Sequence, residues 1–304
     1  ILEIINKLAV HEDVIFAEPN LATTVEEDAV TPTDFLFPEQ WDHQIINTPD
    51  AWQFLRNVDV NRTFGSPDLV IGVVDSGVDP NHPDFNGTVS DGSSKTYQAF
   101  DFANMVANNN SLSSDHGTAC ASAVASSSNN ASDVIGTNEG VTGVAGNCRV
   151  LAIRGGGDEA RYADMYLWAA GFDPESDEDD FPAPISQGAD VITNSFGYST
   201  GSPISGTMSA VFDKLTDDGR NGNGTMLFFS AGNNTANNPN GQDLDLTFYR
   251  PWGMYDRCFS VAASSLATDG ISEQKTWYSC FGSVIDFCAP SRNAFVHDPP
   301  NGYG

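Results

Sequence analysis

Short apolar runs alternate with helical stretches along most of this chain, and this alternation limits the folds that it can adopt. The apolar runs cover residues 69–74, 148–153, 189–193, 225–230, 258–263 and 284–288. Stretches with a helical pattern lie between most of them, at residues 116–127, 158–170 and 205–219. Strands that alternate with helices indicate a sheet that is buried on both sides. We therefore predict an α/β fold, a doubly wound, mostly parallel sheet with helices on both faces, and a site at the carboxyl ends of the strands.

The residues outside this alternating pattern are expected to form simpler structure. Residues 1–20 read as a short helix-to-strand unit, and residues 21–33 are polar and acidic, as in an exposed linker. A helix is predicted to begin at Thr48, with Thr48 as its N-cap and Pro49 in the first helical position. The acidic run at 173–180 is interpreted as a solvated insertion loop, with a calcium site or a selector for basic substrates as the alternatives.

The charge of the chain bears on the class of its partners. Among 304 residues, 41 are acidic and 13 are basic, which gives a formal net charge of -28. This excess argues against nucleic acid or an anionic membrane as a partner, and it suits a secreted protein, a salty medium or calcium binding. No apolar run approaches the roughly 20 residues of a membrane span. We expect an extracellular protein whose signal peptide lies upstream of Ile1, and six N-x-Ser/Thr sequons give this weak support.

The cysteines leave the redox chemistry open. There are five: Cys120, Cys148, Cys258, Cys280 and Cys288. None forms a C-x-x-C pair, which argues against a zinc site. The odd number fits one or two disulfides with a free thiol, and it also fits a truncated chain in which one cysteine has lost its partner.

Asp75 is the first candidate functional residue. It ends the apolar run Val-Ile-Gly-Val-Val-Asp at 70–75 and is followed by Ser-Gly. A buried carboxylate in such a place can hold an imidazole in one tautomer and stabilise its cation. Nucleotide-binding folds also end strands in Asp-x-Gly, but no G-x-G-x-x-G follows, and the chain has no G-x-x-x-x-G-K-[ST]. A phosphate-binding loop therefore has no support.

His116 and Asn233 are the next two candidates. His116 precedes a run of small residues, Gly-Thr-Ala-Cys-Ala, which would let a helix pack closely against the sheet and set the imidazole at its open end. Asn233 ends the sequence Phe-Phe-Ser-Ala-Gly-Asn at 228–233, a strand followed by a turn that carries an amide. An amide that points into a cleft can donate a hydrogen bond to a developing oxyanion. His116 or Asn233 alone is more often structural. Only their combination with Asp75 indicates a catalytic site.

The order Asp75, His116, Asn233 resembles that of the subtilisin superfamily of serine proteases. Further segments that resemble this family are residues 77–85, 140–145, 194–197 and 278–290. The resemblance extends over roughly residues 34–304 and implies a subtilisin-like fold and a serine endopeptidase that acts through an acyl-enzyme. By the same resemblance, His116 is the general base, Asp75 orients it, and Asn233 holds the oxyanion.

The resemblance also implies how a protein or peptide substrate binds. Ser195, Phe196 and Gly197 match the strand that pairs with the substrate backbone, and the turn Ser230, Ala231, Gly232 is assigned to the same cleft. Kexins carry acidic residues soon after this strand, which select basic substrates. Here residues 198–200 are Tyr-Ser-Thr, so strict cleavage after paired basic residues is not supported.

A structural Ca²⁺ site is implied in the same way. Asp34 and Asp84 match the family's calcium-binding carboxylates, and backbone carbonyls of Val141 and Gly143 would complete the oxygen ligands that Ca²⁺ prefers. The asparagine ligand is open between two candidates, Asn130 and Asn138.

The chain before Asp34 resembles the processed part of such an enzyme. Pro-Thr-Asp at 32–34 and Phe-Pro-Glu-Gln-Trp at 37–41 resemble the start of the mature kexin/furin-type catalytic domain. Residues 1–20 resemble the end of a propeptide, which in this family assists folding, inhibits the enzyme and is removed. The expected organisation is a C-terminal part of a propeptide at 1–20, a linker with the processing site at 21–33, and a catalytic domain at 34–304.

The family's nucleophile is the one element without a match. It lies in Gly-Thr-Ser-x-Ala-x-Pro, after an Ala-Pro pair that matches residues 289–290, and no residue after Pro290 forms this motif. We expect the catalytic domain to be incomplete at its C-terminus, with the serine beyond Gly304, and the 304 residues alone to be inactive. The alternative is a pseudoprotease, or a peptide-binding module that lacks the nucleophile.

Overall fold

The fold is described here from a computed structural model, which covers residue 11 and residues 29–107, 115–130, 140–173, 185–197, 201–233, 240–247, 249–267 and 272–291. Its strands are β1 Val70–Asp75, β2 Thr96–Asp101, β3 Val106–Ala107, β4 Arg149–Arg154, β5 Val191–Asn194, β6 Met226–Ser230, β7 Phe259–Leu266, β8 Glu273–Lys275 and β9 Phe287–Pro290. Its α-helices are α1 Trp41–Ile45, α2 Thr48–Val58, α3 His116–Ala125, α4 Glu159–Ala169 and α5 Gly206–Gly222. Short 3₁₀ helices cover Phe37–Glu39, Val60–Arg62 and Leu244–Leu246.

The described strands form one sheet in the order β3-β2-β4-β1-β5-β6-β7-β8, and β9 also pairs with β7. Every pairing from β2 to β7, and that of β7 with β9, is parallel. The two antiparallel pairings join the short strands β3 and β8 to the sheet. Because β1, β5 and β6 are neighbours and run in the same direction, their carboxyl ends meet at one edge. The predicted doubly wound, mostly parallel sheet is confirmed.

Side chains that alternate along the central strands supply two separate cores. On β1, Val70 and Val74 face a large core with residues of α4 and α5, while Ile71 and Val73 face a second core with Ala121 and Ala125 of α3. Each of these side chains is almost completely buried. Helices therefore cover both faces, and the face on which α3 lies is packed mainly with small residues, as the sequence of that helix predicts.

Most of the predicted elements are present, displaced by at most a few residues. All six predicted apolar runs are strands, but the short helix α1 and the strands β2, β3 and β8 were not predicted. β2 follows a polar loop and begins with half-exposed residues, and β3 and β8 are short and exposed. The N-cap of α2 is Asn47, in a left-handed conformation with φ 55°, and not Thr48, which is the first helical residue. Thr48 is buried, so its hydroxyl is not placed as a cap.

Of the alternatives that the odd number of cysteines left open, disulfides within the chain are not found. All five cysteines lie among the described residues and all five are free thiols. Cys148 and Cys258 are buried in the two cores on opposite sides of the sheet, so neither can reach the other. The alternatives left open by the odd number of cysteines are thereby reduced to unpaired thiols.

Several sequence predictions fall on residues that are not described. These are most of 1–28, nearly all of the acidic run 173–180, Asn138, and residues 292–304. Of the predicted linker, residues 29–33 are described, and Val30 is buried against Phe37 and Trp52, so the packed structure begins before Asp34. Within the described part of the chain, every helix is too short or too polar to cross a membrane.

Candidate functional site

Asp75 and His116, which are 41 positions apart in the sequence, meet at the carboxyl end of β1. The Nδ1 atom of His116 is 2.8 Å from Oδ1 of Asp75. Because an ionised carboxylate only accepts hydrogen bonds, Nδ1 is the nitrogen that carries the proton in this pair. The Asp75 side chain is 3% exposed and the His116 side chain 57% exposed. The carboxylate is thus shielded by the sheet, while the imidazole faces the surface.

The backbone around Asp75 fixes its carboxylate. The Ser76 N–H donates to Asp75 Oδ1 at 2.6 Å, and the Ser76 hydroxyl accepts from the Gly117 N–H at 3.0 Å. The other carboxylate oxygen, Oδ2, is buried and has no hydrogen-bond partner in the described structure. This end of β1 is therefore tied directly to the first turn of α3.

Gly117 permits this close approach of helix and strand. A Cβ atom on Gly117 would lie 2.2 Å from the carbonyl oxygen of Gly77 and 3.0 Å from Cβ of Asp75. Gly77 itself has φ +104°, a conformation that favours glycine. Larger residues at position 117 would push the helix, and His116 with it, away from Asp75.

Cys120 is a third member of this cluster that the sequence analysis did not single out. Its sulfur is 3.7 Å from His116 Nδ1, and one ligand atom from each of Asp75, His116 and Cys120 lies within 4.8 Å of the others. Burial raises the pKa of the Cys120 thiol to about 11, so the thiol is neutral at neutral pH and is not an activated nucleophile. The sequence could have indicated this contact, because Cys120 is four residues after His116 and residues four apart on a helix lie on the same face.

The segment predicted to bind substrate continues from β5. Asn194, the last residue of β5, is buried and is held by Tyr166, whose hydroxyl donates to its side-chain oxygen at 2.7 Å. Ser195, Phe196 and Gly197 then leave the sheet, and in the described structure they make no backbone hydrogen bond. The Phe196 ring stacks on Tyr162 with centroids 5.7 Å apart. The segment is thus anchored at its start and unpaired along its backbone.

The turn after β6 carries Asn233. Ala231 donates to Val261 O at 2.8 Å, and Gly232, with φ +95°, accepts from the Cys280 N–H at 2.9 Å. These bonds fix the turn, while Asn233 itself is exposed. Phe196, Gly197 and Ser230 also line one small cavity with Arg250 and Trp252. The structure thus brings the segments after β5 and β6 together, and it adds Arg250, for which the sequence gives no signal.

The predicted calcium ligands lie in a second cluster. Asp34 and Asp84 are buried. Asp34 Oδ2 accepts from the Asn129 N–H at 2.8 Å and from the Thr142 hydroxyl at 2.6 Å. Asn130 donates through Nδ2 to Asp84 Oδ1 at 2.8 Å. Asp34 Oδ1 and Asn130 Oδ1 are both buried, and neither has a hydrogen-bond partner among the residues that the structure describes. Buried oxygens that lack a donor fit a hard cation such as Ca²⁺.

In the loop next to this cluster, carbonyls that accept a hydrogen bond alternate with carbonyls that accept none from a described residue. Thr142 O accepts hydrogen bonds from the side chains of Gln40 and His43, each at 2.8 Å. No described residue donates to the carbonyls of its neighbours, Val141 and Gly143. Neither Asn129 nor Thr142 was singled out from the sequence, because both act through a chain segment remote from Asp34.

Comparisons with known proteins agree with this architecture. Residues 66–288 match the subtilase family, Peptidase S8. Thermitase of Thermoactinomyces vulgaris is 29% identical over 274 residues, which are 90% of this chain and 78% of that protein. A calcium-dependent protease of Trichormus variabilis is 25% identical over 99% of this chain and 41% of its own length. The crystal structure of an Aeromonas sobria serine protease with its chaperone superposes with a TM-score of 0.56 at 17% identity, over 90% of this chain and 46% of that chain.

Two other relatives bear on particular predictions. Mouse furin is 26% identical over 56% of this chain and 23% of its own length, which gives the kexin/furin-like features only weak support. A halolysin-like extracellular serine protease, Nep of Natrialba magadii, is 28% identical over 61% of this chain and 29% of its own length. The chain thus spans less than half of most of these relatives. The family match covers more than two thirds of the chain and includes both Asp75 and His116. This chain belongs to the subtilase family.

Proposed function

We propose that this chain is the greater part of the catalytic domain of a secreted, subtilisin-type serine endopeptidase. The observation that carries the proposal is the 2.8 Å contact between His116 Nδ1 and the buried carboxylate of Asp75, at the carboxyl end of a central parallel strand. Membership of a family of serine proteases supports the reaction class. The reaction would be hydrolysis of a peptide bond through an acyl-enzyme.

The roles of the two residues follow from their contact. With Nδ1 holding its proton toward Asp75, Nε2 is the nitrogen that takes the proton of a serine hydroxyl and later gives it to the leaving amine. The buried Asp75 carboxylate keeps this tautomer and stabilises the imidazolium that forms. The exposure of His116 suits this role, since the imidazole must meet both the nucleophile and the substrate.

Asn233 is the proposed oxyanion donor. It follows β6, which is separated from β1 only by β5, and its turn is fixed by backbone bonds from Ala231 and to Gly232. A side-chain amide held on such a turn can donate to the oxyanion of the tetrahedral intermediate. Loss of one such donor costs on the order of 10²–10³ in turnover.

The substrate would bind beside Ser195, Phe196 and Gly197. Their backbone groups are unpaired in the described structure and lie in direct continuation of β5. An extended peptide can therefore add to this segment as a strand, with main-chain hydrogen bonds that do not depend on its sequence. The peptide would then lie between the segments that follow β5 and β6.

A structural Ca²⁺ is proposed at the second cluster. Asp34, Asp84 and Asn130 would supply side-chain oxygens, and Val141 and Gly143 would supply carbonyls. The two buried, unpartnered oxygens of Asp34 and Asn130 support this, and Asn130 is preferred to Asn138 on that ground. The ion would tie the segment before α1 to the loop after α3, and would supply no catalytic chemistry.

The N-terminal residues are proposed to be a propeptide and a linker that is cleaved. Residues 1–20 would be the C-terminal part of a propeptide that inhibits the domain, and cleavage would occur between Asn20 and Asp34. The packing of Val30 against Trp52 favours a cut before Val30 within that range. An extracellular location is supported by the excess of acidic residues and by the relative that is an extracellular protease.

The nucleophile is proposed to come from a further segment of the same protein. The test is to read the coding sequence past Gly304, express the protein through a Gly-Thr-Ser motif, and treat it with a fluorophosphonate. We expect labelling and casein hydrolysis by the extended protein, and neither by its His116→Ala variant or by the 304 residues alone. An Asp68→Asn variant, altered at an exposed carboxylate far from the site, should behave as wild type.

Two results would contradict this proposal. Labelling that survives His116→Ala would remove the histidine from the mechanism. An in-frame stop directly after Gly304 would favour the alternative, a pseudoprotease or peptide-binding module.

A further inference from the structure

An arginine occupies the cavity between the two segments that the proposed function assigns to substrate binding. The cavity is lined by Phe196, Gly197, Phe229, Ser230, Arg250, Trp252 and Gly253. The first two lining residues belong to the segment after β5, and Ser230 begins the turn that leads to Asn233. A side chain of a peptide laid along Ser195–Gly197 would therefore enter beside Arg250.

The guanidinium group of Arg250 lies directly against both backbone segments. A Cβ on Gly197 would be 1.1 Å from its Nη1 atom, and a Cβ on Gly232 would be 2.5 Å from its Nε atom. Both positions therefore require glycine if the guanidinium is to stay where it is. The group also stacks over the Tyr249 ring, with Cζ 4.4 Å from the centroid, and Nη2 donates to the Tyr249 hydroxyl at 3.3 Å. These contacts hold the side chain in place.

Among the described residues Arg250 has no carboxylate partner, although the chain has 41 acidic residues against 13 basic ones. Arg154, Arg220 and Arg257 each pair with an aspartate at 2.9, 3.1 and 2.7 Å. In the described part of the chain, no carboxylate oxygen lies within 4.0 Å of Arg250. Its Nε atom is buried and donates to no acceptor within the described ranges. A charged donor left without an acceptor is costly, and a planar guanidinium fits a carboxylate through two parallel hydrogen bonds.

We propose that the acidic side chain of a substrate, Glu or Asp, at the residue whose carbonyl is attacked, meets Arg250 at the opening of this cavity. The inference rests on the proposed function, since it takes the segments after β5 and β6 as the walls of the substrate cleft. The carboxylate of the substrate pairs with Arg250, while the half-buried Phe196 packs against its methylene groups. Arg250 is thus a specificity-determining residue for the reaction.

Measurements of peptide binding test the role of Arg250, and they do not require the nucleophile because no bond is cleaved. The probes are fluorescent, N-acylated peptide amides of the form Ala-Ala-Ala-X, in which X is Glu, Gln, Phe or Lys. Fluorescence polarisation with the chain cleaved before Val30 and freed of the proposed propeptide should show that the Glu peptide binds at least about ten times more tightly than the isosteric Gln peptide. The difference should shrink as salt is raised.

Three variants assign the effect to Arg250. Arg250→Gln should bind the Glu and Gln peptides equally, and Arg250→Glu should prefer the Lys peptide, a gain that a merely structural role would not produce. Arg62→Gln alters an exposed arginine on a separate element and should keep the preference for Glu. Circular dichroism of each variant establishes that it folds. A folded Arg250→Gln that keeps the preference would overturn the proposal.

The α-carboxylate at the free end of a peptide could also pair with Arg250. The peptide Ala-Ala-Ala-Ala is therefore compared as a free acid and as an amide. If Arg250→Gln weakens binding of the free acid but not of the Glu peptide, the cavity recognises a chain terminus and the proposal is wrong. Equal binding of the Glu and Gln peptides, or no binding of any peptide, also overturns it. Fluorophosphonate labelling of the extended protein does not depend on residue X, so it separates failure of this inference from failure of the proposed function.

Discussion

The contact between α3 and the end of β1 depends on the absence of a side chain at Gly117. At Gly117 an added Cβ would lie 2.2 Å from the Gly77 carbonyl oxygen, which belongs to backbone and cannot turn aside. We expect Gly117→Ala to lower the free energy of unfolding by about 1–3 kcal/mol, the usual cost of overpacking. A shift of His116 by about 1 Å would also reduce turnover by around 10²-fold. Thermal unfolding and fluorophosphonate labelling of the extended protein measure the two effects.

Gly206 offers the matched control for this substitution. It begins α5, and an added Cβ would meet no atom within 4 Å. Gly206→Ala should therefore leave labelling unchanged and should not destabilise the protein. Equal stability and equal labelling of Gly117→Ala would show that the helix tolerates displacement, contrary to the geometry.

Cys120 is expected to react slowly despite its place beside His116. Burial raises the pKa of its thiol to about 11, so only about 0.1% is thiolate at pH 8. Alkylation by iodoacetamide, followed by mass spectrometry of the peptides, should modify the exposed Cys288 well before Cys120. The rate at Cys120 should rise about tenfold per pH unit up to pH 10. Rapid modification at pH 7 would mean that the imidazole activates the thiol.

The residues of the candidate site differ in how visible they are in the sequence. Asp75, His116 and Asn233 each lie in a short motif at the end of a regular element, so pattern and resemblance together select them. Cys120 was visible only as a residue four positions after His116 on a helix. Arg250 carries no local pattern at all, because its position follows from how a loop more than fifty residues after Gly197 folds back onto that glycine.

At the scale of elements, the sequence predicts strands better when they are continuous apolar runs. The runs that became β1, β4 and β6 are continuous and apolar, whereas β2 begins with half-exposed residues and reads as loop. Helix starts are decided by backbone conformation, which short-range patterns capture poorly. Asn47 adopts the left-handed conformation before α2, and this displaced the predicted cap from Thr48.

The proposed Ca²⁺ site joins elements that are distant in the sequence. Asp34 precedes α1, Asp84 follows β1, and Asn129 and Asn130 follow α3. The buried carboxylates of Asp34 and Asp84 accept hydrogen bonds from the adjacent residues Asn129 and Asn130, respectively. We expect EGTA to lower the melting temperature, and excess Ca²⁺ at about 100 times its dissociation constant to restore about 2.7 kcal/mol of stability. Differential scanning calorimetry measures this shift.

A pair of variants assigns that shift to the cluster. Asp34→Asn removes one buried charge and should abolish most of the response to Ca²⁺. Asp218→Asn removes an exposed charge on α5 and should leave the response intact. A calcium response that persists in Asp34→Asn would place the ion elsewhere.

For the whole molecule, alternation of strands and helices was sufficient to predict the sheet type and the covering of both faces. It did not predict strand order, which depends on which connections pass over which face. Here β1 lies between β4 and β5, and the two cores on its opposite faces are filled by different helices. The site forms at this position because the carboxyl ends of β1, β5 and β6 meet there.

One buried charge links this architecture to the stability of the whole protein. Lys95 is fully buried before β2, and its ammonium group donates to the carbonyls of Gly146 and Cys148, each at 2.7 Å. Burial lowers the pKa of Lys95 from 10.5 to about 8 in the folded state. Between these two pH values the unfolded chain holds a proton that the folded protein has lost. The contribution of Lys95 to stability therefore rises with pH across this window, by about 3 kcal/mol in total.

Comparison with Lys95→Met isolates this contribution. Burial raises the pKa values of Cys120, Cys148, Cys258 and Cys280, so these thiols make the folded protein less stable as the pH rises above about 9. Of the four, Cys148 also feels the charge of Lys95, which opposes the effect of burial on its pKa, while the other three give the same background in the wild type and the variant. We expect the free energy of unfolding of wild type minus variant, from urea titrations with reductant present, to increase steadily from pH 7.5 to pH 10. Lys214→Met, at an exposed lysine paired with Asp218, should show no such trend. A difference that is constant over this range would mean that Lys95 keeps its proton in the folded protein, and that the two carbonyls stabilise the ammonium group enough to offset its burial.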